Sequence, residues 1–156
     1  HLVFTTLHTN DAPSSVARLL DLGVEPFLIT ATIEGVVAQR LVRRICTKCR
    51  TAYEPDEAQL TEMQLTEEEI AGRTFYYGRG CNKCNGTGYK GRTGLYEIMI
   101  FNDEIRDLIM NRASTNVLRV AAQKAGMRPL RDNGLIAVFD GITTIDEVMK
   151  ETITEG

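Results

Sequence analysis

The chain has 156 residues, 43% of them hydrophobic, and a formal net charge of −3 at pH 7. That length fits one domain, or one with a small appendage, and that apolar fraction is enough to bury a core. The slight negative charge gives no global basis for binding nucleic acid or a membrane surface, and no apolar run is long enough to span a bilayer.

In chain order, Leu2-Val3-Phe4-Thr5-Thr6-Leu7 reads as a buried strand, rich in β-branched and aromatic residues. The chain opens on this run without a leader or an initiator methionine, and reads as a piece cut from a larger protein. His8-Thr9-Asn10-Asp11 is a polar loop. Asp11 is the expected N-cap of a first helix, with Pro13 in its first turn, an apolar face of Val16, Leu19 and Leu20, and Gly23 as its stop. Pro26 opens a second helix with Phe27, Leu28 and Ala31 on its apolar side, ended by Gly35. Residues 36–45 read as a strand leading into Cys46. Strand, helix, helix, strand is an α/β pattern, and it looks like the second half of a sheet.

Charge then splits along the chain. Residues 40–50 carry Arg40, Arg43, Arg44, Lys48 and Arg50 and no acid, whereas residues 54–69 carry seven acids and no base. The acidic stretch predicts two short helices over 56–63 and 66–71, the second opened by a capping box of Thr66 and Glu69. Phe75-Tyr76-Tyr77 is a short strand, and residues 91–101 alternate as a strand returning to the main sheet. The tail predicts four helices. Asn102 caps one bearing Ile105, Leu108 and Ile109. Ser114 caps one bearing Val117, Leu118, Ala121 and Ala122, stopped by Gly126. Residues 129–139 form a third, and Thr144 with Glu147 caps a fourth bearing Val148 and Ile153. These helices are expected to form a small bundle on the sheet.

All four cysteines lie in two pairs, Cys46-Thr-Lys-Cys49 and Cys81-Asn-Lys-Cys84, separated by 31 residues. A C-x2-C turn aims two sulfurs at one ion, and a second pair completes a tetrahedron, which is the donor set of a closed zinc site. A disulfide framework suits a short secreted chain with a signal peptide, and a redox pair needs no second copy; zinc is preferred over both. Lys48, Arg50, Arg79 and Lys83 lie within two residues of the ligands and can offset the charge of four thiolates. Reduced thiols point to the cytoplasm. Four thiolates leave no open coordination position, so the expected role is structural or partner-binding. The two histidines flank the first strand. A lone loop histidine is more often structural than catalytic. His8, however, stands at the expected C-terminal end of a sheet strand among Thr5, Thr6, Thr9, Asn10 and Asp11, where open α/β sheets bind ligands.

Four stretches together resemble the secretion ATPase superfamily. Residues 1–12, His1-Leu2-Val3-Phe4-Thr5-Thr6-Leu7-His8-Thr9-Asn10-Asp11-Ala12, resemble its histidine box. Ala38-Gln39-Arg40-Leu41-Val42-Arg43-Arg44-Ile45-Cys46 resembles the segment leading into its zinc-binding insertion. Gly88-Tyr89-Lys90-Gly91-Arg92-Thr93-Gly94-Leu95-Tyr96-Glu97 and Gly141-Ile142-Thr143-Thr144-Ile145-Asp146-Glu147-Val148 resemble the segments after it and at the close of the domain. The tetracysteine is similar to that of the type II secretion and type IV pilus assembly (extension) ATPases. The resemblance implies the C-terminal part of a RecA-like P-loop NTPase sheet over residues 1–45, an inserted zinc subdomain over 46–90, a return strand over 91–101 and a C-terminal helical region over 102–156. It implies a homohexameric, cytoplasmic motor at the bacterial inner membrane that hydrolyses ATP with Mg²⁺. Its partners would be an inner-membrane platform protein and assembly proteins, with no nucleic acid. His8 would report the γ-phosphate, and His1, Arg40 and Arg43 would lie near nucleotide or a neighbouring subunit. Against this, the chain contains no G-x4-G-K-[ST] loop, so by itself it is expected neither to hold ATP tightly nor to hydrolyse it.

Two other readings remain at this point. One is a zinc-stapled interaction module without catalysis: Cys81-Asn82-Lys83-Cys84-Asn85-Gly86-Thr87-Gly88 is one copy of the C-x2-C-x-G-x-G repeat of J-domain co-chaperones. The other is a zinc-ribbon nucleic-acid binder, disfavoured because its single basic stretch has no interleaved aromatics and adjoins seven acids.

Overall fold

The structure of the protein, a computed structural model, describes residues 1–152; Ile153, expected on the last helix, lies outside them. The chain divides into two compact units, one of residues 1–39 and 96–130, the other of residues 40–95 and 131 onward.

The first unit holds helices α1 (Ala12–Asp21) and α2 (Pro26–Thr32) and the start of strand β1 (Gly35–Ile45). The end of strand β4 (Tyr89–Ile100) and helices α5 (Asp103–Met110) and α6 (Thr115–Lys124) complete it. α1 packs on α6 and on α2, and α5 packs on both α2 and α6. Every expected cap here forms. Asp11, Asn102 and Ser114 each accept the N–H three residues on, from Ser14, Ile105 and Val117, satisfying donors the helix leaves free. Asp11 also receives Arg119 of α6 at 2.7 Å, tying the start of α1 to its neighbour.

Two expectations fail in this unit. Residues 1–9 form no strand, and Leu2, Val3 and Phe4 are exposed. The sheets among the described residues are β1 with β4, and β2 with β3; a strand is held by its ladder partner, and high β-propensity does not substitute for one. In α2 the buried side is Pro26 and Ile29, while Phe27, Leu28 and Ala31 face out. The reason lies at the helix end. Arg106 of α5 donates to the carbonyls of Thr30 and Ile33, which fixes α2 with its Ile29–Ile33 edge inward.

The second unit contains strand β2 (Arg50–Tyr53), short helices α3 (Glu57–Glu62) and α4 (Glu67–Ile70), strand β3 (Phe75–Gly78), α7 (Leu130–Phe139) beyond its first residue, and α8 (Ile145–Thr152). Both α3 and α4 open with complete capping boxes, Asp56 with Gln59 and Thr66 with Glu69. β2 pairs antiparallel with β3, Arg50 opposite Gly78 and Tyr53 opposite Phe75. β1 and β4 also pair, with Ala38, Val42, Leu95 and Met99 on the buried side. Gly134 sits inside α7, where glycine normally weakens a helix. A Cβ there would lie 2.5 Å from Val148 of α8, so glycine is what lets the two helices close.

A candidate tetracysteine metal centre

The strands assemble the centre. The first cysteine pair lies in the turn between β1 and β2, and the second between β3 and β4. Zipping β2 onto β3 carries the two turns together. The Cys46 N–H then donates to the Gly88 carbonyl at 2.9 Å, and the Arg79 N–H to that of Cys49 at 3.2 Å.

All four Sγ atoms lie within 4.8 Å of one another. Three separations, Cys46–Cys81, Cys49–Cys84 and Cys81–Cys84, are 3.8 Å each. A tetrahedral ion with metal–sulfur bonds of about 2.3 Å requires sulfurs about 3.8 Å apart, so the donor set fits a closed site of four thiolates. Backbone N–H groups aim at sulfur: Gly80 at Cys49 (3.3 Å), and Cys81 and Gly88 at Cys84 (both 3.2 Å). Cys46 and Cys84 are 1% and 5% exposed. The site is therefore shielded, and its sulfur charge is met by oriented amides.

These surroundings separate the thiols. Burial works to raise Cys84, but the Cys81 and Gly88 amides overcome it and bring its pKa down to about 6. Burial pushes Cys49 up to about 11, and the neighbouring thiols add to that. Cys46 is lowered, chiefly by the Lys48 N–H. A bound cation displaces all four protons. The four cysteines can hold a metal ion.

Glycine makes the amide cage possible. Gly88 has φ +81°, and a Cβ on it would collide with the Gly78 carbonyl. Gly88→Ala is expected to cost about 3 kcal/mol through backbone strain and the clash, read as a lower urea midpoint and faster metal loss to a chromogenic chelator.

The other residues singled out in the sequence do not join this centre. His1 and His8 are exposed in the irregular segment of the first unit. Arg40 and Arg43 lie on the part of β1 that belongs to the second unit. Arg43 has a structural partner that spacing did not reveal, Glu147. The Arg43 backbone N–H donates to Glu147 Oε2 at 2.8 Å, and its Nη2 to Oε1 at 2.7 Å. The guanidinium lies 4.1 Å over the Tyr89 ring, whose hydroxyl is 2.8 Å from Thr144 Oγ1. The capping box expected of Thr144 and Glu147 is accordingly half formed. Thr144 accepts the Glu147 N–H, while the Glu147 carboxylate goes to Arg43.

Burial works to raise the Glu147 pKa, but its bonds to Arg43 outweigh that and hold it below the ordinary carboxylate value. A depressed acid stabilises the fold above its unfolded pKa, near 4.3. That stabilisation is lost as pH falls through the folded value. Because Arg43 is half exposed, the contribution is about 1 kcal/mol. Below pH 4.3 the urea midpoint should fall, and Glu147→Gln should flatten that part of the profile.

Sequence reasoning also missed Glu97, which is 4% exposed. Its Oε1 accepts the Ala12 N–H and its Oε2 the Leu130 N–H, both at 2.9 Å. The signal was present: Leu95, Glu97 and Met99 share the buried phase of β4's alternation.

Comparison with known proteins agrees with the family resemblance read from the sequence. The profile of the type II/IV secretion system protein family matches residues 1–150. The type IV pilus assembly ATPase PilB of Thermus thermophilus is 46% identical over 98% of the chain, which spans 17% of that protein. PilB of Myxococcus xanthus is 45% identical over 97% of the chain and 27% of its own length. The type II secretion system protein E of Pseudomonas aeruginosa is 42% identical over 99% of the chain and 30% of its own. The chain thus covers less than a third of these relatives. In fold it is similar to the pilus retraction motor PilT, with a TM-score of 0.60 at 20% identity over 99% of the chain and 33% of that structure. With its family profile matched from residue 1 to residue 150, the chain belongs to the type II/IV secretion system protein family.

Proposed function

We propose that the chain is the C-terminal part of an ATP-hydrolysing motor that drives pilin or pseudopilin assembly, in type IV pilus biogenesis or type II secretion. The observation that carries this is the match of nearly the whole chain to assembly and secretion ATPases at 42–46% identity. In this reading residues 1–45 complete a RecA-like core and 102–156 form its helical end. Residues 46–90 form a structural subdomain in which Cys46, Cys49, Cys81 and Cys84 hold Zn²⁺, an ion without redox chemistry that suits a closed thiolate cage. ATP and Mg²⁺ would be held largely by parts of the motor outside this chain, which has no phosphate-cradling loop. His8 would approach the γ-phosphate, His1 would belong to the same histidine box, and Arg40 would face nucleotide or a neighbouring subunit. Arg43 would act through its Glu147 pairing and not as a free cation. The motor would be a hexamer at the cytoplasmic face of the inner membrane, working on a platform protein. No helix among the described residues is long and apolar enough to cross a membrane, which fits peripheral attachment.

The test is a graft. This sequence, substituted for the matching stretch of the Thermus pilus assembly ATPase in a strain lacking that protein, should restore piliation. His8→Ala in the graft should abolish ATP turnover while leaving protein levels unchanged. A graft that accumulates normally yet assembles no pili would sink the reading. The isolated chain is expected to show no ATP turnover above buffer.

A further inference from the structure

The second unit contains a cleft of about 440 Å³ that the motor reading does not use. Tyr53, Tyr77 and Tyr89 line it, together with Gln59, Thr144 and Asp146. The wall comes from β2, α3, β3, the start of β4 and the start of α8. Tyr53 and Tyr77 meet edge to face, centroids 5.5 Å apart at 84°. Tyr77 is 41% exposed. Gln59 Nε2 donates to Asp146 Oδ1 at 3.3 Å and steadies that carboxylate at the cleft wall. Among the described residues the lining includes no cationic side chain, although the Arg43 guanidinium already covers one face of Tyr89.

We propose that this cleft binds the guanidinium of an arginine side chain presented by another protein. Three phenol rings and one carboxylate form an aromatic, anionic recess, and ring faces attract cations within about 6 Å. A guanidinium suits it better than an ammonium, because its plane stacks on a ring while its fork engages a carboxylate. The unit already uses this chemistry internally, with Arg43 over Tyr89 at 4.1 Å and Arg50 over Tyr76 at 5.3 Å. The approach is acidic as well: Glu54, Asp56 and Glu57 adjoin Tyr53 and Gln59 in the chain. Tyr53 registers this field. Burial is the main cause of its raised pKa, and the charges of Asp146 and Asp56 push in the same direction. A basic segment of a partner would be drawn in by that charge and held by the rings.

The test uses the zinc-loaded 156-residue chain and three flexible nonapeptides that differ only at the centre: arginine, lysine or norleucine. Tyrosine ring signals are followed by NMR. The arginine peptide should move the rings of Tyr53, Tyr77 and Tyr89 saturably, with a dissociation constant of about 1 mM. Lysine should bind more weakly, and norleucine should leave the rings unmoved. Asp146→Asn should weaken arginine binding about tenfold. Tyr77→Leu, a change at an exposed side chain, should weaken it about fivefold; it keeps the test decisive should Asp146→Asn unfold α8. Equal responses to norleucine and arginine, or no saturation by about 20 mM, would overturn the proposal. So would unchanged arginine binding in both variants. Ring shifts that grow with chain concentration without peptide would seat a second copy in the cleft, and would overturn its assignment to another protein.

Discussion

Removing the metal is expected to release one zinc ion per chain and to melt the second unit. The four cysteines stand at the open end of the β2–β3 hairpin, where the first pair enters β2 and the second follows β3. β2 and β3 have four residues each. A two-stranded hairpin of that size is marginal by itself. The helices it carries are as short: α3 has six residues and α4 four, far below the length at which an isolated helix persists. In small zinc modules the bound ion supplies about 10 kcal/mol of folding free energy, more than such elements contribute among themselves. Chelation at neutral pH should therefore abolish slow amide exchange across β2 and β3. It should leave the caps of α1, α5 and α6 in the first unit protected. Cys84→Ser should do the same without a chelator, because Cys84 receives two of the amide–sulfur bonds described above. Retention of both the hairpin's protection and its thermal transition after complete metal removal would show that the strands stand without the ion.

The clustering of the four thiols is legible in the sequence because two C-x2-C turns are a local pattern that needs no knowledge of the rest of the fold. Helix starts are legible for the same reason. Asp11, Asp56, Thr66, Asn102 and Ser114 all cap helices where the chain places them, since a cap depends on the three residues that follow it. What depends on distant partners was not legible. β2 is four residues long and shows itself only in its pairing with β3. Residues 2–7 have strand composition but no ladder partner among the described residues. The exposed side of α2 is set by Arg106, which arrives from α5 and caps the α2 carbonyls. The tyrosine cleft combines residues from 53 to 146, and no window of sequence contains it. Arg43 shows the same limit. Its place in a basic run gave no hint of the carboxylate 104 residues away that holds it.

Glu97 is the residue whose loss should cost most among the polar groups of the first unit. Each of its oxygens accepts one backbone N–H at 2.9 Å, from Ala12 and Leu130. These are the first residues of α1 and α7, where a helix carries unsatisfied donors and partial positive charge. One buried carboxylate thus caps two helix starts. Glu97→Ala removes both acceptors and leaves a void beside two buried donors, with an expected cost of about 4 kcal/mol. Glu97→Gln keeps the volume and one acceptor, but turns an NH2 toward the second N–H; about 2 kcal/mol is expected. The order of the two variants separates hydrogen bonding from packing. If volume alone mattered, glutamine would behave as wild type. The readouts are the urea midpoint and the exchange rates of the Ala12 and Leu130 amides. Both amides should exchange faster in Glu97→Ala, and one of them in Glu97→Gln. Ala12 follows His8 by four residues, so the same loosening reaches the segment proposed above to sense phosphate. In the grafted motor, Glu97→Gln should therefore lower turnover while protein levels stay near normal. Wild-type turnover, with the Ala12 amide exchanging faster, would separate the anchor of α1 from the chemistry.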